Sequence, residues 1–327
     1  MEPHLQPSAR PFYGGRQLGE SGDDRSAFAY IGLPLASAYD PPGTPSPTAG
    51  APEHVRAMCW EQEHQADWHH WDFDLGGPVM PSGARPDLTD YGDLAGDPMD
   101  LQGAKRFATE TVRAALNRGA VPMVVGGDHS TTQPVMAAYE GMGPVHLLHV
   151  DAHLDFRDEV NGVRDGYSSP VRRSREMPWV GSIVQVGLRG IGSARQREVD
   201  EARELRNVIV TAAELHERGV DAVLSHIADG PWHVSLDVDG LDPTIAPATG
   251  YPVPGGITFP QIAGIVRGIA RRGLLAGIDV DEIHPDIDLR GMTALTVLRL
   301  FTLLMGESVR ASGREDRALP AQLASVS

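Results

Sequence analysis

The sequence predicts one α/β domain built on a parallel sheet with helices on both faces. Three observations lead there. Short runs rich in Val, Ile and Leu recur along the chain, amphipathic stretches of helical spacing lie between them, and no internal repeat or low-complexity linker splits the 327 residues. Parallel strands are buried on both sides, so helices have to cover both faces. At roughly 150 residues per domain the length would admit two domains, and it does not decide the matter by itself.

The expected strands are Phe28–Leu33, Val121–Val125, Val145–Val150, Ile183–Leu188, Val208–Val210, His233–Val238 and Ala276–Val280. Between them Pro98–Arg118 places Leu101, Ala104, Ala108, Val112, Ala115 and Leu116 at spacings of three and four, and Asn117-Arg118-Gly119 supplies a stop. Thr131–Glu140, Ala194–Leu205, Ala213–Ala228, Phe259–Arg271 and Met292–Met305 read as further helices. The domain is expected over 27–310, with a poorly structured N-terminal arm over 1–26 and a C-terminal tail over 311–327. The stretch Ala36–Pro52 carries Pro41, Pro42, Pro45, Pro47 and Pro52 and reads as a stiff surface loop.

Composition removes several function classes. With 28 Lys+Arg against 44 Asp+Glu the formal net charge is −16, and the basic residues gather only in pairs such as Arg172-Arg173, so nucleic acid is not an expected partner. Cys59 is the only cysteine, which excludes an intramolecular disulfide framework and a thiolate zinc cluster. The first twenty residues hold no signal-peptide run, no stretch reads as a membrane span of about 18–20 apolar residues, and the expected address is cytoplasmic.

Three segments carry groups that a core normally rejects, each at the end of an expected strand: Gly126-Gly127-Asp128-His129-Ser130, His149-Val150-Asp151-Ala152-His153-Leu154-Asp155, and Ser235-Leu236-Asp237-Val238-Asp239-Gly240-Leu241-Asp242-Pro243. Ligands of open α/β sheets bind at that edge. Strand alternation puts Asp151, His153 and Asp155 on one side, and Asp237 with Asp239, provided the extended geometry persists. Taken singly, each segment is also compatible with a polar turn that caps the next helix. Taken together, four carboxylates converging with His129 and His153 need cations between them, and two divalent ions balance the −4 of Asp151, Asp155, Asp237 and Asp239. Oxygen-rich ligation with two imidazoles favours Mn²⁺ over a thiolate-preferring ion.

With these motifs, GGDHS, DAHLD and SLDVDGLDP, the chain from about Tyr30 to Glu307 resembles the ureohydrolase family of arginases, agmatinases and related guanidino-compound hydrolases. The resemblance implies a three-layer α/β/α fold with a mainly parallel sheet, of the arginase/deacetylase-like kind, and a binuclear manganese site. It implies that His129, Asp151, Asp155 and Asp237 hold one metal and that Asp151, His153, Asp237 and Asp239 hold the other. Such an enzyme hydrolyses a guanidino compound of the agmatine or guanidino-acid type to urea and an amine. Asp155 would then move a proton toward the leaving nitrogen, and Glu282, in Asp281-Glu282-Ile283-His284-Pro285, would hold the guanidinium group. A homo-oligomer, trimer or hexamer, is expected on the same basis.

Asp90-Tyr91-Gly92-Asp93, Pro247-Ala248-Thr249-Gly250 and Pro254-Gly255-Gly256 resemble the agmatinase-like branch, and Gly50-Ala51-Pro52-Glu53-His54-Val55-Arg56 resembles its Gly-Pro-x-x-Ile-Arg run. One departure stands out. Where that branch carries a substrate-facing His before Ser/Thr-Pro, this chain has Tyr167, and no histidine lies between His153 and His216. Either Tyr167 substitutes, or Asp155 and solvent carry the proton, or the substrate is not agmatine. Two alternatives follow: a formimidoylglutamase-like hydrolase, which Phe156-Arg157 after the DAHLD motif resembles, and a metal-binding but inactive relative. Finally, His64, His69 and His70 with Asp67, Asp72 and Asp74 invite a second metal site, although Trp60, Trp68 and Trp71 among them favour a loop packed on the domain or lining the site entrance.

Overall fold

A computed structural model describes residues 1–20, 22, 24–39, 44, 46–61, 68–192 and 194–323. Its strands and helices run in the order β1 (His4–Gln6), β2 (Arg16–Gln17), β3 (Phe28–Leu33), α1 (Ala51–Glu61), β4 (Leu88–Ala95), α2 (Leu101–Asn117), β5 (Val121–Gly126), α3 (Thr132–Ala137) and β6 (Val145–Val150). There follow α4 (Pro170–Arg175), β7 (Val180–Leu188), α5 (Gln196–Glu204), β8 (Val208–Thr211), α6 (Ala212–Arg218), α7 (Asp221–Leu224), β9 (Trp232–Asp237), α8 (Phe259–Arg271), β10 (Leu275–Asp281) and α9 (Met292–Ser312).

One ten-stranded sheet organises the chain, in the order β1-β4-β3-β5-β10-β9-β6-β7-β8 with β2 also on β4. Every pairing is parallel except β1 on β4. The middle strands β3, β5, β9 and β10 are buried along their whole length, as a sheet covered on both faces requires. Helices α2, α3 and α4 pack with one another in one layer, and α1, α8 and α9 in the other. The result is the expected α/β/α sandwich.

Local sequence explains the helix starts. Asp100 caps α2 by accepting from Gly103 N at 2.8 Å, and Thr258 with Gln261 forms a capping box ahead of α8, with Pro260 in its first turn. The single helix expected over Ala213–Ala228 is two, because Gly219 ends α6 at φ 70°.

Three expectations are corrected. The described residues of the arm over 1–26 are not poorly structured: β1 and β2 extend the sheet edge, and Phe12 is fully buried, stacked 4.3 Å from Tyr30. Helix α9 runs past Met305 to Ser312, and its stretch is long and apolar enough by length and composition to cross a membrane. It is the core helix of this fold, buried over 78% of that stretch, with Glu307 paired to Arg267 at 2.8 Å. The tail beyond it also packs down, burying Ala318, Leu319 and Leu323, while residues 324–327 lie outside the described residues.

The His/Trp-rich segment brings no metal cluster together among the described residues; His64 and Asp67 lie outside them. Asp72 and Asp74 pair instead with Arg299 of α9, and Trp68 meets Tyr13 edge-on at 5.2 Å. Of the loop prolines, Pro41, Pro42 and Pro45 are likewise outside the described residues. Arg56 is structural. It is fully buried on α1, reaching Asp90 at 2.9 Å and Asp93 at 2.7 Å, so the Asp90–Asp93 motif serves to hold a helix against β4.

Candidate metal centre

Four adjacent strands, β5, β10, β9 and β6, deliver their C-terminal ends to one place. After β5 the chain must turn sharply, and two glycines allow it: a Cβ on Gly127 would lie 1.9 Å from Leu35 O, and one on Gly126 would lie 1.8 Å from Asp281 Oδ1. Asp128 caps the turn, accepting from Ser130 N at 3.0 Å and Ser130 Oγ at 2.6 Å. His129 is thereby set over the sheet.

His129 Nδ1 lies 3.2 Å from Asp151 Oδ2, 3.1 Å from Asp155 Oδ2 and 3.4 Å from Asp237 Oδ2. His153 Nδ1 lies 2.9 Å from Asp239 Oδ2 and 3.4 Å from Asp151 Oδ1. All six residues singled out as ligands are therefore brought together, although the extended geometry assumed for them is absent. Strand β6 ends at Val150, and a left-handed residue, Asp155 at φ 49°, returns its carboxylate toward His129.

Three of the four aspartates are aimed by one of their own oxygens. Asp151 Oδ1 accepts from His153 N at 2.6 Å, Asp237 Oδ1 from Asp239 N at 2.8 Å, and Asp239 Oδ1 from Ala152 N at 3.0 Å. The other oxygens face the imidazoles. A further histidine joins them: buried His149 stacks 5.0 Å from His129 and puts Nε2 3.1 Å from Asp151 Oδ2. The sequence signal for His149 is its place one residue before the end of β6, on the strand that leads into the Asp151 motif. Asp279 on β10 gives no such signal, because it lies inside the apolar run Ala276–Val280, whose strand reading leaves no place for buried charge.

His129 Nδ1, His149 Nε2 and Asp151 Oδ2 are buried without a hydrogen-bond partner, a costly arrangement unless a cation lies among them. The donor set of carboxylates and imidazoles, with no thiolate, suits borderline and hard divalent ions. The electrostatics agree. Without cations the cluster gathers protons: burial together with Asp151 pushes the Asp155 carboxyl up to about 8, and burial with the same neighbour pushes Asp239 up to about 6. Burial opposes charge on His153, but Asp151 and Asp239 outweigh it and push the imidazole up to about 11. For Asp151 burial is outweighed in the other direction, by His129, His149 and His153, which hold it well below the carboxylate range.

Glu282 stands at the rim. It follows β10 at φ 66°, its Oε1 accepts from His129 N at 2.9 Å, and its Oε2 lies 3.9 Å from His284 Nε2. Tyr167 borders the same opening. Its amide donates to Ser37 Oγ at 2.7 Å, its ring meets Tyr39 edge-on at 4.7 Å, and burial with Tyr251 and Glu282 nearby raises its phenol above the ordinary value. Tyr251 in turn stands 6.3 Å from the His153 ring.

Comparison with known proteins fits this geometry. Residues 27–306 match the model of the arginase family. The chain is 37% identical over 235 residues to a guanidinopropionase of Pseudomonas aeruginosa, covering 68% of this chain and 73% of that one. It is 33% identical over 228 residues to a guanidinobutyrase of the same organism, covering 66% and 70%. Among solved structures, proclavaminate amidino hydrolase from Streptomyces clavuligerus superposes with a TM-score of 0.76 at 26% identity, covering 93% of this chain and 98% of that one. Formimidoylglutamase from Bacillus subtilis shares the fold, with a TM-score of 0.76 at 24% identity over 92% of this chain and 93% of that one. By sequence and by fold, the chain belongs to the arginase family and is a hydrolase of amidine-type carbon–nitrogen bonds.

Proposed function

We propose that the protein is a binuclear Mn²⁺ amidinohydrolase that converts a guanidino compound and water to urea and an amine. The observation that carries this reading is the convergence of His129, Asp151, His153, Asp155, Asp237 and Asp239 around buried lone pairs, with the Glu282 carboxylate anchored at the rim. His129, Asp151, Asp155 and Asp237 would hold one ion, and Asp151, His153, Asp237 and Asp239 the other. When bound, two such ions supply Lewis acidity that brings the pKa of water toward neutrality.

The chain's own residues do the rest. Glu282 binds the guanidinium through charge-assisted hydrogen bonds from its N–H groups, the interaction that a planar cation makes best with a carboxylate. Asp155, whose Oδ2 lies 3.1 Å from His129 Nδ1, takes a proton from the attacking water and returns it to the nitrogen that leaves as the amine. Tyr167 stays a neutral phenol and donates a hydrogen bond to orient the substrate.

Phe156 is buried under the Arg172 guanidinium, 5.1 Å from its ring centroid, and Arg157 reaches Glu198 at 3.5 Å, so these two side chains have packing roles and the formimidoylglutamase alternative is decided by turnover. A screen for urea release from agmatine, 4-guanidinobutyrate, 3-guanidinopropionate, arginine and guanidine, with formimidoylglutamate turnover run beside it, tests the proposal. Urea from one guanidino compound, lost on chelation and restored by Mn²⁺, is the expected result. Turnover of formimidoylglutamate alone would overturn it, as would a metal-loaded protein inert toward the whole panel.

A further inference from the structure

A chain of hydrogen bonds leads from His129 away from the site and into the core. His129 Nε2 lies 2.9 Å from Ser235 Oγ, Ser235 Oγ lies 2.8 Å from Thr132 Oγ1, and Thr132 Oγ1 donates to Asp279 Oδ2 at 3.0 Å. The other oxygen of Asp279 is 2.5 Å from His233 Nε2, whose Nδ1 is 3.0 Å from the Tyr139 hydroxyl. Every member is buried.

One group in this chain can only accept, and it sets the direction of all the others. Thr132 gives its proton to Asp279, so its oxygen is left to accept from Ser235. Ser235 has then spent its own proton and accepts from His129. His129 therefore keeps a proton on Nε2, and Nδ1 is the nitrogen free to face the carboxylates. From the far side His233 donates through Nε2 to Asp279 and accepts the Tyr139 proton at Nδ1.

We propose that Ser235, Thr132, Asp279, His233 and Tyr139 are positioning residues that fix the ring angle and tautomer of His129, so that Nδ1 is held ready for a metal ion. The inference rests on the reading of the cluster as a metal centre. The chain joins α3, β9 and β10, so a rotation of His129 has to disturb three elements at once. Space is reserved for it as well: a Cβ on Gly277 would lie 2.6 Å from Tyr139 Oη and 2.8 Å from His233 Nδ1. Burial works against the charge of Asp279, yet His233 outweighs it and holds the carboxyl below its ordinary range, which keeps the acceptor ionised.

Calorimetric titration of Mn²⁺ into the metal-depleted full chain tests this. The wild type should bind two ions. Thr132→Val keeps the volume but ends the relay, and should weaken one of the two binding steps about 10–100-fold while leaving the other unchanged. Thr132→Ser restores the hydroxyl and should restore that step. Asp279→Asn, whose amide can donate and so reverse the chain, should weaken the same step, and in ¹⁵N-histidine-labelled protein the His129 Nε2–H resonance should exchange faster. Asp279→Asn carries the test if Thr132→Val fails to fold. Two unchanged steps in Thr132→Val or Asp279→Asn would overturn the inference. A wild type that binds no Mn²⁺ would instead overturn the metal reading beneath it.

Discussion

His129 and His153 face the same carboxylates at similar distances, yet they are held in different ways. His129 is buried, stacked on His149 and tied through Ser235 to a run of core hydrogen bonds. The His153 side chain is 19% exposed, and its ring looks out toward Tyr251, itself 60% exposed. The difference follows from where each residue sits. His129 opens a short helix between two buried strands, whereas His153 belongs to the irregular segment after β6. One half of the centre is thus an extension of the core, and the other belongs to the substrate opening.

Asp151 is the residue that joins the halves, and its removal should have the largest effect. Asp151→Ala strands His129, His149 and His153, and breaking buried charge pairs of this kind costs about 3–5 kcal/mol. Metal analysis should find neither ion retained, and urea release should vanish; one ion still bound would mean that the halves are independent. Glu282→Gln sharpens the comparison from the rim, since it keeps the shape and loses the charge. It should lower kcat/KM by about 1.5–3 kcal/mol with both ions in place, and an unchanged kcat/KM would remove Glu282 from substrate binding.

A third test separates protons from metal. Asp155, Asp239 and His153 all bind protons more tightly in the folded metal-free cluster than in the unfolded chain. Their stabilisation is therefore complete at acid pH, and it is lost as pH rises from near 4, through about 6 for Asp239 and about 8 for Asp155, toward about 11 for His153. The depressed carboxyl of Asp151 is ionised throughout that window and leaves the trend unchanged, and buried His149, held below the ordinary imidazole range, opposes it only up to about pH 6.5. Urea denaturation of chelated protein should show stability falling from about pH 5 to about pH 9, and Mn²⁺ loading should flatten the curve. A chelated protein that gains stability over that range would contradict the cluster's charge balance.

Tyr167→Phe should do least. It removes only a hydrogen bond from a neutral phenol, so kcat should fall by less than the roughly 10²–10⁴-fold that accompanies loss of a general acid or base. A drop of several thousandfold with both ions retained would show that the phenol carries the proton.

The two halves also differ in how plainly they can be read from sequence. Phe28–Leu33 is legible to the residue, because a parallel strand buried on both faces is a nearly continuous apolar run. Strands β1 and β2 are not, since His4–Gln6 and Arg16–Gln17 owe their conformation to the edge of β4 rather than to their own composition. Helix α1 lies behind a proline-rich approach, and Pro52 in its first turn resembles a loop residue when it is suited to a helix start. Gly306-Glu307-Ser308 looks like the end of a helix until Arg267 and Arg271 are seen to neutralise Glu307 from α8. The ligand motifs stand out because charge after an apolar strand is conspicuous. The groups behind His129 do not, because Ser235, Thr132 and His233 acquire meaning only when β9, β10 and α3 are side by side.

Asp155 and Glu282 share a property beyond their charge: both are non-glycine residues held at positive φ, 49° and 66°. Backbone at such angles favours glycine, and side chains there cost stability that the surrounding structure has to offset. The two residues on which hydrolysis would most depend are therefore places where selection for robustness alone would change the sequence. A lineage of this fold released from its chemistry should drift toward glycine at 155 and 282 and grow more heat-resistant as it falls silent, the usual trade between stability and activity seen at single positions.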